Sequence, residues 1–156
     1  MGKKILVAID DSENAMRAVE FITKSFTPDH RVTLFSVILD TPAICDLNSP
    51  SLTPYFLGQK AAFCELEDQN TALIKQALQR ARELLIKAGF GERNVTTKIE
   101  AKKKGVARGI IDEANSGYDV IVLGRRGLAG IKEFFIGSIS QKVLQSAKNV
   151  SVLMVD

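Results

Sequence analysis

Val120-Ile121-Val122-Leu123-Gly124-Arg125-Arg126-Gly127, then nine residues, then Gly137-Ser138, is the stretch that decides the fold. Its four consecutive apolar residues read as a buried parallel strand covered on both faces. The glycines that follow let the backbone approach a ligand closely. From Ser138 a helix is predicted up to Ala147, with Ile139, Val143, Leu144 and Ala147 as its apolar stripe. The first N–H groups of such a helix have no intrahelical partner and lie at the positive end of its dipole. Strand, glycine-spaced loop and helix start together predict an anion cradle. Arg125 and Arg126 add forked donors suited to phosphate.

Four further apolar runs predict strands over residues 4–9, 32–39, 95–101 and 151–155. Helical patterns lie between them. Ala15, Ala18, Val19 and Ile22 share one face behind Ser12 or Asp11 as N-cap. Leu66, Leu73, Ala77, Leu84 and Ala88 form a stripe on a long helix spanning residues 59–88, ended by Gly89. Val106, Ile110, Ile111 and Ala114 make another, stopping near Gly117. The resulting order, β-α-β-α-β-α-β-α-β, predicts a single-domain α/β fold over residues 1–156. Its parallel five-stranded sheet carries helices on both faces and right-handed crossovers. One long connection, residues 40–58, holds three of the four prolines with Cys45, Asn48 and Ser49. It reads either as a surface insertion or as a mobile functional segment.

Composition narrows the function. A chain of 156 residues with 46% apolar and 25% charged residues can bury a sizeable core and is not disordered. A net charge of +3 is too weak to imply nucleic acid. The apolar run ending at Asp10 is too short for a signal peptide or a membrane span. The expectation is a cytoplasmic protein without membrane contact. Leu6 stands where a myristoylation signal needs Ser or Thr. Asn94-Val95-Thr96 and Asn149-Val150-Ser151 are glycosylation sequons only in form, since the chain is not expected to be secreted. Cys45 and Cys64 have no metal-ligand spacing, and the single His30 offers no cluster. A disulfide between the two cysteines is open to the chain, but the expected cytoplasmic setting disfavours it.

Other site chemistries fail on pattern. There is no Walker A loop and no nucleophile elbow, and Gly89-Phe90-Gly91 lacks the third glycine and helix context of a dinucleotide fingerprint. One histidine makes no triad. No positioned base or pair of metal-ligating carboxylates for phosphoryl transfer is evident.

Gly124-x2-Gly127-x9-Gly137-Ser138 after a strand resembles the nucleotide-binding signature of the universal stress protein family, in its ATP-binding branch. The likeness covers nearly the whole chain. Lys3-Lys4-Ile5-Leu6-Val7-Ala8-Ile9-Asp10-Asp11-Ser12 resembles that family's first strand and acidic turn, and Val150-Ser151-Val152-Leu153-Met154-Val155 its last strand. The resemblance implies strand order 3-2-1-4-5, an adenine-nucleotide alpha hydrolase-like arrangement with flavodoxin-like topology. Ligands of such sheets bind at the carboxyl ends of the strands where the order reverses. Both Asp10-Asp11-Ser12 and the glycine loop belong at that point.

Carried over by resemblance, Asp10 meets the ribose hydroxyls while Ala8 and Ile9 flank the base. Val37 reads the adenine edge through its backbone. Gly124 and Gly127 admit ribose and phosphates. Gly137, Ser138 and Ile139 present N–H groups to the phosphates, and Ser138 and Ser140 their hydroxyls. The implied ligand is ATP, with Mg held by its phosphates. The implied function is that of a nucleotide-dependent regulatory or stress-response protein with an unknown protein partner. A slow ATPase or adenine-nucleotide hydrolase on the same fold is the alternative. The resemblance also implies a homodimer through residues 151–155, an apolar strand at the sheet edge with little to blunt it. Plainer readings stand beside these. Asp10 as a turn or helix cap, the glycines as tight turns, and Arg125, Arg126 and Lys102-Lys103-Lys104 as solvated charges.

Overall fold

The computed structural model describes residues 2–10, 12–40, 45, 54–102, 104–125 and 137–156. In chain order the elements are β1 (Lys4–Ala8), α1 (Glu13–Ser25), β2 (Arg31–Leu39), α2 (Pro54–Lys87) and a 3-10 turn (Glu92–Asn94). β3 (Val95–Lys102), α3 (Val106–Ala114), β4 (Val120–Gly124), α4 (Ser138–Ser146) and β5 (Ser151–Val155) follow. The five strands form one sheet in the order β3-β2-β1-β4-β5, every pairing parallel. The expected topology is thus the observed one.

β1 lies at the centre, which is why Ile5, Leu6 and Val7 are all fully buried. The pleat sends alternate residues to opposite faces. Ile5 and Val7 join a core with Ala18, Val19 and Ile22 of α1 and Leu78, Ala81 and Leu85 of α2. Leu6 joins the other core, with Phe35, Ile110 and Ile111 of α3, and Val143 of α4. Each fully buried Leu, Ile or Phe contributes about 1.5–3 kcal/mol.

Ser12 is the N-cap of α1, its hydroxyl accepting the Ala15 N–H at 3.2 Å. The last turn of α2 closes on Gly89, whose φ of +103° a side chain rarely adopts. The Phe90 N–H then donates back to the Leu85 carbonyl at 3.1 Å, and Phe90 is buried.

Three expectations are corrected. The buried seam of α2 is Ile74, Leu78, Ala81 and Leu85, not the stripe through Leu66 and Leu73, which are 62% and 49% exposed. The 34-residue helix is about 51 Å long at 1.5 Å per residue, whereas the nine-residue β2 spans about 30 Å. The amino-terminal half of α2 therefore overhangs the sheet, and its leucines have no core to enter. On α4, Val143 and Ala147 of the expected stripe do pack on the core, with Ser140 buried beside them, while Ile139 and Leu144 are 40% and 45% exposed on its flanks. Finally, Cys45 and Cys64 form a disulfide with Cα atoms 6.0 Å apart. Helix α2 carries Cys64 to Cys45, a proximity that a separation of 19 residues does not reveal. Among the described residues no helix is long and apolar enough to cross a membrane.

Candidate functional site

The chain leaves β1 toward β2 by way of α1 and leaves β4 toward β5 by way of α4, on opposite faces of the sheet. A crevice necessarily opens between the carboxyl ends of β1 and β4. There the structure has a cleft of about 350 Å³.

Its first wall is the turn after β1. The Ile9 N–H donates to the Phe35 carbonyl at 2.8 Å, and the buried Ser36 hydroxyl donates to the Ile9 carbonyl at 2.6 Å. Both backbone polar groups of Ile9 are thereby tied to β2, which holds Asp10 at the mouth of the cleft. Asp10 Oδ1 accepts the Ser12 N–H at 2.9 Å and also the Ser12 hydroxyl. Asp10 therefore does serve the turn that caps α1. Its other oxygen, Oδ2, has no hydrogen-bond partner among the described residues. An ionised carboxylate has acceptor capacity for more than the turn uses.

The second wall is the junction of β4 and α4. A side chain at Gly124 would be crowded: a Cβ there would lie 3.1 Å from the backbone carbonyl of Asn14, at the start of α1. The Ser140 hydroxyl donates to the Gly124 carbonyl at 2.8 Å. The Gly137 N–H is taken by the Arg125 carbonyl at 2.9 Å, so the expectation that it faces a phosphate is not met in this arrangement. The Gly137 carbonyl accepts the first helical bond, from the Gln141 N–H. Gly137 supplies no side-chain cap, so the N–H groups of Ser138, Ile139 and Ser140 have no acceptor among the described residues.

The third wall is β2 and α3. Phe35 accepts from Ile9, so its backbone groups point toward β1. Two residues on, those of Val37 point the same way, past the end of β1 and over the cleft. The Val37 side chain lies under α3, where a Cβ at Gly109 would come within 3.0 Å of it.

Ala8, Ile9, Asp10, Val37, Gly124, Gly137, Ser138, Ile139 and Ser140 are thus brought together around one cleft. Arg125 is not. Its guanidinium lies 3.6 Å from the Asp156 carboxylate, and its N–H donates to the Val155 carbonyl, which ties it to β5. Arg126 and Gly127 lie outside the described residues, as does Asp11. Sequence reasoning missed Asn70 and Ile74 of α2 and Val106 and Ile110 of α3, which also line the cleft. Asn70 was findable in principle, being one turn before Ile74 on the buried seam of α2. Among the described lining residues Asp10 is the only charged one. The described residues contain no group of three or more His, Cys, Asp or Glu able to hold a metal ion. The cleft offers apolar walls, one carboxylate acceptor and an uncapped helix start. That set can hold a molecule with an apolar ring, hydroxyls and an anionic end.

A single α/β sheet with such a cleft at its switch point defines a class of small-molecule binding domains. Residues 1–156 match the universal stress protein family, and the chain belongs to that family. It is 33% identical over 157 residues to universal stress protein Sll1388 of Synechocystis sp., covering 97% of this chain and 96% of the relative. The fold is similar to that of protein MJ0577, with a TM-score of 0.72, 25% identity and coverage of 99% and 96%. A universal stress protein solved in complex with cAMP has the same fold, with a TM-score of 0.64, 17% identity and coverage of 99% and 96%.

Proposed function

We propose that the protein binds an adenine nucleotide, ATP in the first place, in the cleft between β1 and β4, and acts as a nucleotide-dependent regulatory protein in a stress response. The observation that carries this reading is the convergence of Asp10 and three N–H groups of α4, without acceptors among the described residues, on one cleft with apolar walls. The helix start suits a phosphate. Asp10 Oδ2 suits vicinal ribose hydroxyls. Val37 suits the edge of a base through its backbone. A neighbour of the same fold holding cAMP is consistent with this ligand class. Magnesium, when bound with ATP, would neutralise phosphate charge, and this chain's own residues would act on the nucleotide alone.

Among the described residues the lining has no histidine, lysine or arginine, and Asp10 already accepts from Ser12. This favours binding over rapid hydrolysis. The bound state would act on a partner protein through the surfaces around the cleft. The same reading includes a homodimer through β5, an edge strand whose Val152, Leu153 and Met154 are half-buried. The exposed Ile139 and Leu144 of the neighbouring α4 would extend its apolar surface.

The test is mass spectrometry of small molecules released on denaturing the purified protein, with calorimetric titration of ATP, ADP, AMP and cAMP into stripped protein. Saturable binding of at least one, with phosphate release no faster than in buffer, is expected. No binding of any of the four would sink the reading. Rapid phosphate release would move it to the hydrolase alternative.

A further inference from the structure

The opposite end of the sheet carries a second cleft, of about 200 Å³, that the nucleotide reading does not use. Lys4 of β1 and Arg31 of β2 are register partners there, as are Thr33 of β2 and Thr96 of β3. The pleat puts all four on the face of Leu6 and Phe35, beneath α3. Arg93, from the 3-10 turn, and Tyr118, after α3, complete the lining together with small polar residues.

Three cations therefore surround one recess, and among the described residues no carboxylate lines it. Among the described residues none of the three makes an ion pair. The neighbouring acids already have partners. Asp119 accepts the Lys4 backbone N–H at 2.8 Å, and Glu113 holds Lys98 at 2.6 Å and the Tyr118 hydroxyl at 2.9 Å. Like charges directly opposite one another on a sheet repel and destabilise it. An anion seated between Lys4 and Arg31 removes that repulsion. Arginine forks match the oxygens of a phosphate, and the Thr96 hydroxyl adds a neutral donor, while the Thr33 hydroxyl bonds to Tyr118. The recess is smaller than the about 300–1,000 Å³ of a pocket for a drug-sized molecule, which limits the occupant to a small one.

We propose that this cleft is a second ligand site, for a small phosphate-bearing anion, held by Lys4, Arg31 and Arg93 with Thr96. Lys4 opens β1 and Asp10 lies beyond its other end, so the two clefts lie at opposite ends of the central strand. The occupant is either free inorganic phosphate or the phosphate of a small monoester.

Amide NMR reads the two clefts separately. Inorganic phosphate and glycerol 3-phosphate are titrated at constant ionic strength, with sodium chloride as the control. Saturable shifts are expected at Thr33, Thr96 and Gly117, distinct from any at Ser138 and Ile139. In the Arg31→Gln/Arg93→Gln variant, shown to be folded by its spectral dispersion, affinity at this site should fall about tenfold or more, from lost charge-assisted bonds. Tighter binding of glycerol 3-phosphate than of phosphate assigns a monoester; equal or weaker binding assigns the free ion. Absence of saturable shifts at these amides, equal shifts with chloride, or an unchanged response in the double variant would overturn the proposal.

Discussion

Ser140, in the first turn of α4, donates its hydroxyl to the carbonyl of Gly124, at the end of β4, at 2.8 Å. The bond joins the two ends of the glycine-spaced loop across 16 residues and aims the start of α4 into the cleft. Ser140 is buried, so its removal leaves the Gly124 carbonyl without this donor. Ser140→Ala is expected to cost about 1 kcal/mol of stability. It should also weaken nucleotide affinity by misaiming the Ser138 and Ile139 N–H groups. Denaturant unfolding and calorimetry check the two effects. A variant that loses stability but keeps full affinity would limit Ser140 to a structural role.

Asp10 has one oxygen in the Ser12 turn and one without a partner among the described residues. Asp10→Ala is expected to weaken ATP, AMP and adenosine by a similar factor, because the ribose is common to all three. The loss should be on the order of 1.5–3 kcal/mol, as for hydrogen bonds to a charged acceptor. Binding isotherms for the three ligands decide this. A loss for ATP alone would make Asp10 a phosphate or metal group instead.

β5 is expected to pair antiparallel with its copy across a two-fold axis, which satisfies both free edges at once. Leu153→Pro removes a backbone donor from that strand. Light scattering should find a dimer for the unmodified chain and a shift toward monomer for the variant. A monomer at micromolar concentration before any substitution would refute the interface.

Glu113, 9% exposed, gathers Lys98 and Tyr118. The hydrogen bond to Glu113 raises the Lys98 pKa above 10.5, and burial raises the Tyr118 pKa above 10.0. For both groups the protonated form is the one the folded state favours. Their contribution is therefore complete below pH 10 and is lost as pH climbs through the raised values. Urea midpoints should fall more steeply above pH 10 for the natural chain than for Glu113→Gln. At neutral pH that substitution should cost on the order of 1–3 kcal/mol, at the lower end because Lys98 is half exposed.

The Cys45–Cys64 bridge closes a loop across 19 residues of sequence separation. In the chain-entropy picture it contributes about 3 kcal/mol against unfolding. Thiol titration of air-purified protein should find no free cysteine until a reductant is added, and Cys64→Ser should lower the melting midpoint. Two reactive thiols in protein protected from air would show that the bridge is not formed where the protein works, as a reducing compartment requires.

How far the sequence reaches follows from the range of each interaction. The period-two and period-3.6 patterns are local, so runs such as Val120-Ile121-Val122-Leu123 and Ala15-Ala18-Val19-Ile22 determined the elements and their alternation, and alternation determined a parallel sheet. Local chemistry likewise determined that α1 is capped at Asp11 or Ser12 and that α4 begins at Ser138, while the structure chose Ser12 as the cap. The tertiary structure alone decided what depends on meeting a distant surface. It chose the Ile74-Leu78-Ala81-Leu85 seam over Leu66 and Leu73, because only half of α2 has a sheet beneath it. It brought Asn70 into the cleft, turned Arg125 toward Asp156, and joined Cys45 to Cys64. It also set Lys4 against Arg31, through a β1–β2 register that neither strand encodes by itself. A periodicity states that a helix or strand has an apolar face; the shape and length of the element it packs on select which residues fill that face.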